Sequence, residues 1–178
     1  MFEKLKLKKI NDEVFVTPGQ IVEIGQDEVN FIKNQALCNL RGRARICMHA
    51  NPEEQLHEML IAIRQNSYIT PHRHNNKVES LHVIEGAATV VIFNNDGSIL
   101  KSIKLNTSEN FYYRLNSAYY HTLILHSPIL VLHEVTQGPF NLKDSDFASF
   151  APKENDENCL KYIDNITEKL LTLAKINS

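Results

Sequence analysis

Two histidines one residue apart, His72 and His74 in the run PHRH, are followed five positions on by Glu79 and much later by His121 in the run YYHTLI. Side chains alternate along an extended strand, so His72 and His74 point to the same side. A short loop brings in Glu79, and His121 arrives from a distant strand to close the set. Three imidazoles and a carboxylate suit one divalent transition metal ion (Zn, Fe, Mn or Ni), with coordination positions left for water or substrate. A lone H-x-H pair is more often two exposed strand histidines. The full spacing H-x-H-x4-E-x6-G, ending at Gly86, is much more specific.

Other residues bear on the same chemistry. Arg41, Arg43 and Arg45 recur at every second position, and Cys47 and His49 continue the series. On a strand the guanidiniums line one face, where their bidentate forks suit a phosphate, pyrophosphate or carboxylate. The competing reading is a strand edge protected by charge. Tyr119 shares the parity of His121, and Tyr119 and His49 are candidates to carry a proton beside a metal. The remaining aromatics near His121 (Phe111, Tyr112, Tyr113 and Tyr120) read first as core. His82 falls on the opposite face from Glu79 and Leu81. His57, His126 and His133 read as structural or solvated, and Lys4, Lys6, Lys8 and Lys9 as a solvated terminus. The chain contains no nucleophile elbow, phosphate-binding glycine loop or paired-carboxylate motif.

These residues need elements to position them. Residues 13–17 and 21–24 read as short strands around the Pro18-Gly19 turn. Val29, Ile32, Ala36, Leu37 and Leu40 recur at helical steps, which predicts an amphipathic helix over 27–40, stopped near Gly42. From there to about 136, short strands alternate with turns. They include 57–65, 87–93, 98–105 and 129–135, with Asn94-Asn95-Asp96-Gly97 as a strong hairpin signal. Many short antiparallel strands imply a sandwich or barrel. Residues 138–155 read as a surface loop. Leu160, Ile163, Ile166, Leu170 and Leu173 then mark an amphipathic helix over 156–175.

The motif residues carry a resemblance. His72, His74, Glu79 and Gly86 fit the first motif of the cupin superfamily, G-x5-HxH-x3,4-E-x6-G, with Asn66 in place of its opening glycine. Of the second motif, G-x5-PxG-x2-H-x3-N, His121 is retained, while Asn110, Asn116, Ala118 and Leu125 stand at the other positions. Asn tolerates positive φ better than most residues, so Asn66, Asn110 and Asn116 are expected to make the turns. Over residues 40–140, the runs RARICMH, EMLIAI, YITPHRHNNKVESLHVIEG and HTLILHSPILVLHEVTQGPF resemble the WbuC-like family of cupin-fold metalloproteins. That resemblance implies a bound metal and an association with O-antigen and other surface-polysaccharide gene clusters; it implies no particular reaction. The expected fold is mainly β: a single cupin jelly-roll barrel, an antiparallel double-stranded β-helix, with an N-terminal helix and a C-terminal amphipathic helix. Residues 1–41 pack on the barrel, 42–140 form it, and 141–178 add a loop and helix, in one structural domain.

Composition narrows the function classes. At 178 residues the chain is long enough for one sizeable core. Hydrophobic residues at 43% and charged residues at 22% are ordinary for a globular protein. A net charge of −2 argues against nucleic acid or a membrane surface as partner. No apolar run approaches the ~18 residues that span a bilayer, and MFEKLKLKK is not followed by a signal-peptide apolar stretch. Cys38, Cys47 and Cys159 form no CxxC and read as reduced thiols, which implies a cytoplasmic protein. The expected ligand is a small anionic or sugar-like molecule. The expected assembly is a homodimer, because the two helices offer more apolar surface than one small barrel covers. Three function classes follow: a metal-dependent isomerase, epimerase or lyase; a non-haem iron oxygenase; and a binding or sensing module without turnover.

Overall fold

A computed structural model of the chain describes residues 5–141 and 144–176; Lys4 lies outside them. Twelve strands and two longer helices follow one another as β1 (Lys8–Lys9), β2 (Val14–Val16), α1 (Gln26–Cys38), β3 (Arg43–Cys47), β4 (Leu56–Arg64), β5 (His72–His74), β6 (Glu79–Glu85), β7 (Ala87–Phe93), β8 (Ile99–Asn106), β9 (Tyr112–Leu115), β10 (Tyr120–Leu125), β11 (Ile129–Gln137), β12 (Ser145–Phe147) and α2 (Cys159–Ile176). They form a seven-stranded sheet in the order β1-β2-β3-β4-β11-β6-β9 and a five-stranded sheet in the order β12-β5-β10-β7-β8. The pairings are antiparallel except β2 with β3, which is parallel. This is the sandwich or barrel expected from the strand pattern, in the jelly-roll form that the resemblance implied, with one helix in the N-terminal part of the chain and one in the C-terminal part.

The period-2 alternation explains how one barrel has three apolar clusters. Ile63, Leu81, Val83, Leu130 and Leu132 of the large sheet meet Ala88, Val90, Ile92 and Leu105 of the small sheet in the barrel interior. Ala44, Ile46, Leu60, Ala62 and Val131 face outward and are covered by Val29, Phe31, Ile32 and Ala36 of α1. Val91, Phe93, Tyr120 and Ile124 form the outward face of the small sheet and are covered by Ile166 of α2, with Ala148. Each helix therefore closes the back of one sheet and leaves the barrel interior to the ligand-bearing strands.

Three sequence expectations change. Residues 21–24 form no strand, and the chain runs through them irregularly into α1. The stretch 138–155, expected to be loop, carries β12, which adds an edge strand to β5. Of the turn asparagines, Asn66 takes a φ of 67°, whereas Asn110 and Asn116 do not enter the left-handed region and Asn76 does, at 60°. Gly86 sits at a φ of 90°. A Cβ there would lie 2.5 Å from both the Ile129 carbonyl oxygen and Ser127 Oγ. The β6–β7 turn needs a glycine on both counts.

Candidate metal centre

His72 on β5 pairs directly with His121 on β10. Across β5, His72 pairs with Phe147 and His74 with Ser145 on β12. Paired residues share a face of a sheet, so all of these lie on the inner face of the small sheet. Glu79, at the start of β6, faces them from the large sheet. One nitrogen from each of His72, His74 and His121 falls within a group whose atoms all lie within 4.8 Å of one another. Glu79 lies 3.3 Å from His74 Nε2 and 3.1 Å from His121 Nε2 through its two carboxylate oxygens.

The hydrogen bonds behind the rings decide which nitrogen each presents. His72 Nδ1 donates to the Thr70 carbonyl at 2.9 Å, and His121 Nδ1 donates to the Tyr119 carbonyl at 3.0 Å. A carbonyl only accepts, so Nδ1 carries a proton in both rings and Nε2 is the nitrogen turned to the centre; at His121 that Nε2 donates to Glu79 while it is protonated and offers its lone pair once a cation displaces the proton. His74 Nδ1 is 3.2 Å from Ser145 Oγ. This is the arrangement that orients imidazoles toward a cation, so the donor set fits one metal ion.

Electrostatics agree. Burial, and then the neighbouring His121, push His72 down to about 4, so it is neutral around pH 7. Burial alone would raise Glu79 and lower His121. Their mutual attraction and hydrogen bond overcome both effects, so Glu79 is held below the usual carboxylate range and His121 above the usual imidazole value. Without a cation, Glu79 is an anion stabilised chiefly by imidazoles, and a metal ion is the stronger partner for the same oxygens.

The wall opposite the histidines is the inner face of the large sheet. Arg45 pairs with Ile61 and Cys47 with Met59, Met59 with Glu134 and His57 with Thr136, and Thr136 with Glu79. Arg45, Cys47, His57, Glu134 and Glu79 therefore share that face. Glu134 is pushed up to about 8 by burial and by the Glu79 charge, with Arg45 and His121 acting the other way. Tyr113, which pairs with Leu81, is also on the inner face. Burial, and then Glu79, raise its phenol far above the usual value.

The other candidates are distributed unevenly. Arg41 and Arg43 bind carboxylates of the chain itself. Arg41 donates to Glu154 at 2.7 Å and to Glu13 at 2.6 Å, and Arg43 donates to Glu154 at 2.6 Å. Arg45 forms no ion pair among the described residues and is exposed at the end of the inner wall. His49 stacks on His57 with ring centroids 4.0 Å apart; burial, and then His57, lower its pKa. The Tyr119 side chain is 44% exposed, and its carbonyl is the part of it that holds His121. His82 is exposed and lies 5.4 Å from Phe111, ring to ring, outside the centre as expected. Ser145, Thr70, Glu134 and Phe147 went unnoticed in the sequence. Thr70 lies two residues before a ligand, but nothing local marks Ser145 or Glu134, whose place depends on strand pairing across the barrel.

A family model described as a domain of unknown function (DUF6016) matches residues 24–105. No curated protein matches the chain. Among solved structures, a salicylate 1,2-dioxygenase from Pseudoaminobacter salicylatoxidans in complex with gentisate superposes with a TM-score of 0.52 at 15% identity, over 71% of this chain and 37% of that one. The capsular polysaccharide assembling protein CapF from Staphylococcus aureus gives 0.48 at 12% identity, over 53% and 27%. Protein SO0799 from Shewanella oneidensis gives 0.45 at 11%, over 53% and 63%. The chain spans less than two thirds of each of these proteins. At such identities the likeness concerns the fold alone, and of these three only the dioxygenase, a cupin-fold protein, superposes well enough to carry it. The chain thus has a cupin jelly-roll fold whose interior carries a three-histidine group able to hold one metal ion.

Proposed function

We propose that the protein is a metal-dependent cupin that acts as a Lewis acid on a small polar metabolite, of the sugar or nucleotide-sugar class, in an isomerase, epimerase or lyase type of reaction. His72, His74, Glu79 and His121 hold the ion. One observation carries the reading: His72 and His121 are locked through Nδ1 onto backbone carbonyls, so that their Nε2 atoms turn inward beside the Glu79 carboxylate. The bound ion would polarise a substrate oxygen. In this reading His49 and Tyr119 are the candidates to move a proton. Of Arg41, Arg43 and Arg45, the first two are neutralised by Glu13 and Glu154 and serve the anion only weakly, which leaves Arg45 as its main partner. The sequence resemblance to the WbuC-like family adds the suggestion that the substrate belongs to surface-polysaccharide assembly.

The test loads apo-protein separately with zinc(II), manganese(II) and iron(II) and incubates each with nucleotide sugars and sugar phosphates under air and under nitrogen. Turnover that proceeds without oxygen is the expected result. Turnover that requires iron(II) and consumes oxygen would replace this reading with an oxygenase, and tight binding without conversion would replace it with a binding module.

A further inference from the structure

Helix α1 covers the outer face of the large sheet only in part: Ala44, Ile46, Leu60, Ala62 and Val131 lie beneath it. Further along the strands, four residues form one row across the sheet. Glu58 pairs with Val135, Val135 with Ser80, and Ser80 with Arg114. Alternation sets all four on the outer face, because their neighbours His57, Thr136, Glu79 and Leu115 line the inner one. The row beside it, His133, His82 and Tyr112, presents rings to the same side, and Phe111 lies against His82. Leu56, Ile84, Phe111 and Tyr112 are all exposed around these two rows. A recess of about 230 Å³ follows the first row, lined among others by Leu56, Val78, Val135, Ser80 and Arg114. Apolar surface rimmed by polar groups in this way marks an interaction site.

The charges select the partner. Glu58 has one ion-pair contact among the described residues, His133 Nε2 at 3.6 Å. Arg114 is exposed and forms no ion pair among them. The row therefore begins with an acid, ends with a base, and has the smaller Val135 and Ser80 between. Two aligned sheets related by a two-fold axis along their strands meet row against row in reverse order. Glu58 then faces the partner's Arg114, Arg114 the partner's Glu58, and Val135 the partner's Ser80. A second copy of this chain satisfies both charges at once, whereas an acidic or a basic ligand would satisfy only one.

We propose that the uncovered outer face of β4, β11, β6 and β9 is the interface of a two-fold homodimer, paired through Glu58 and Arg114. The inference is independent of the metal-centre reading, because these side chains lie on the face of the sheet away from the histidines. The test is sedimentation velocity at micromolar concentration on the wild type, on Arg114→Glu, on Glu58→Arg and on an equal mixture of the two variants, with circular dichroism reporting the fold of each. The wild type sediments as a dimer. Each single variant sets like charges against one another at both ends of the row and weakens the dimer at least about tenfold. The mixture restores it, because a chain with two acids in the row then meets a chain with two bases. The double variant Glu58→Arg with Arg114→Glu dimerises as the wild type does, because the reversed row is still complementary to itself. A monomeric wild type would overturn the proposal and give the face to a different partner. A dimer that both single variants leave unchanged, or a mixture that stays monomeric while both variants keep the wild-type spectrum, would also overturn it.

Discussion

At the scale of single residues, the account turns on what each imidazole does with its second nitrogen. His72 and His121 use backbone carbonyls, which no substitution of a neighbouring side chain removes, whereas His74 uses the hydroxyl of Ser145. Ser145→Ala should therefore weaken metal binding by roughly tenfold or more, the usual cost of a lost outer partner. Competition with a chromophoric chelator measures it, and wild-type affinity in the variant would show that His74 needs no such support. His126 supplies a pH dependence away from the centre. It bonds Thr89 Oγ1 at 2.7 Å, and burial, then Lys104, depress its pKa. As the pH falls below 6.5 the unfolded chain protonates this imidazole before the folded one does. The unfolded state then binds more protons, and stability declines with acid. His126→Asn should flatten the slope of urea stability between about pH 6.5 and pH 5; a slope equal to wild type would assign it to other groups.

At the scale of elements, the sequence carried its clearest information where strand geometry alone sets the spacing. His72, His74, Glu79 and Gly86 are close in sequence, and alternation plus one turn places them. The hairpin at Asn94–Gly97 and the apolar run 87–93 were legible for the same reason, and the helical periods of α1 and α2 located both helices within a few residues. What could not be read depends on pairings between distant segments. Strand β12 forms because β5 offers it an open edge, not because SDF is a strong strand sequence. Residues 21–24 are apolar enough for a strand, but no edge receives them. Of the alternating arginines, Arg43 and Arg45 share a face of β3 while Arg41 lies before the strand, across the left-handed Gly42; the alternation could not show that Glu154, more than a hundred residues away, neutralises Arg41 and Arg43. The turn at Gly86 is the element most exposed to a single change. Gly86→Ala meets Ile129 and Ser127 at 2.5 Å in a left-handed conformation, so it should cost on the order of 2 kcal/mol by urea denaturation. A loss under about 0.5 kcal/mol would mean that the β6–β7 turn relaxes freely.

At the scale of the whole molecule, the two helices occupy the backs of the two sheets, where Val29, Ile32, Ala36 and Ile166 are buried, while Leu37, Leu40, Leu160 and Leu173 of the expected apolar faces stay exposed. Ile84, Phe111 and Tyr112 also remain exposed beside one another on β6 and at β9. A two-fold dimer remains our proposal on that basis, and light scattering at micromolar concentration should give twice the chain mass; a monomer mass would remove it. No helix among the described residues is long and apolar enough to cross a membrane. Metal and fold are also coupled, because an ion bound only by the folded chain stabilises it by ~4 kcal/mol at a thousandfold excess over its Kd. Chelation should therefore lower the melting temperature of the wild type and leave a ligand variant unchanged. The most direct measurement is the metal content of the purified protein beside that of His121→Ala. The account predicts close to one transition-metal ion per chain in the wild type and loss of most of it in the variant. Full occupancy in His121→Ala, or a wild type that takes up no ion from excess zinc(II), manganese(II) or iron(II), would contradict it.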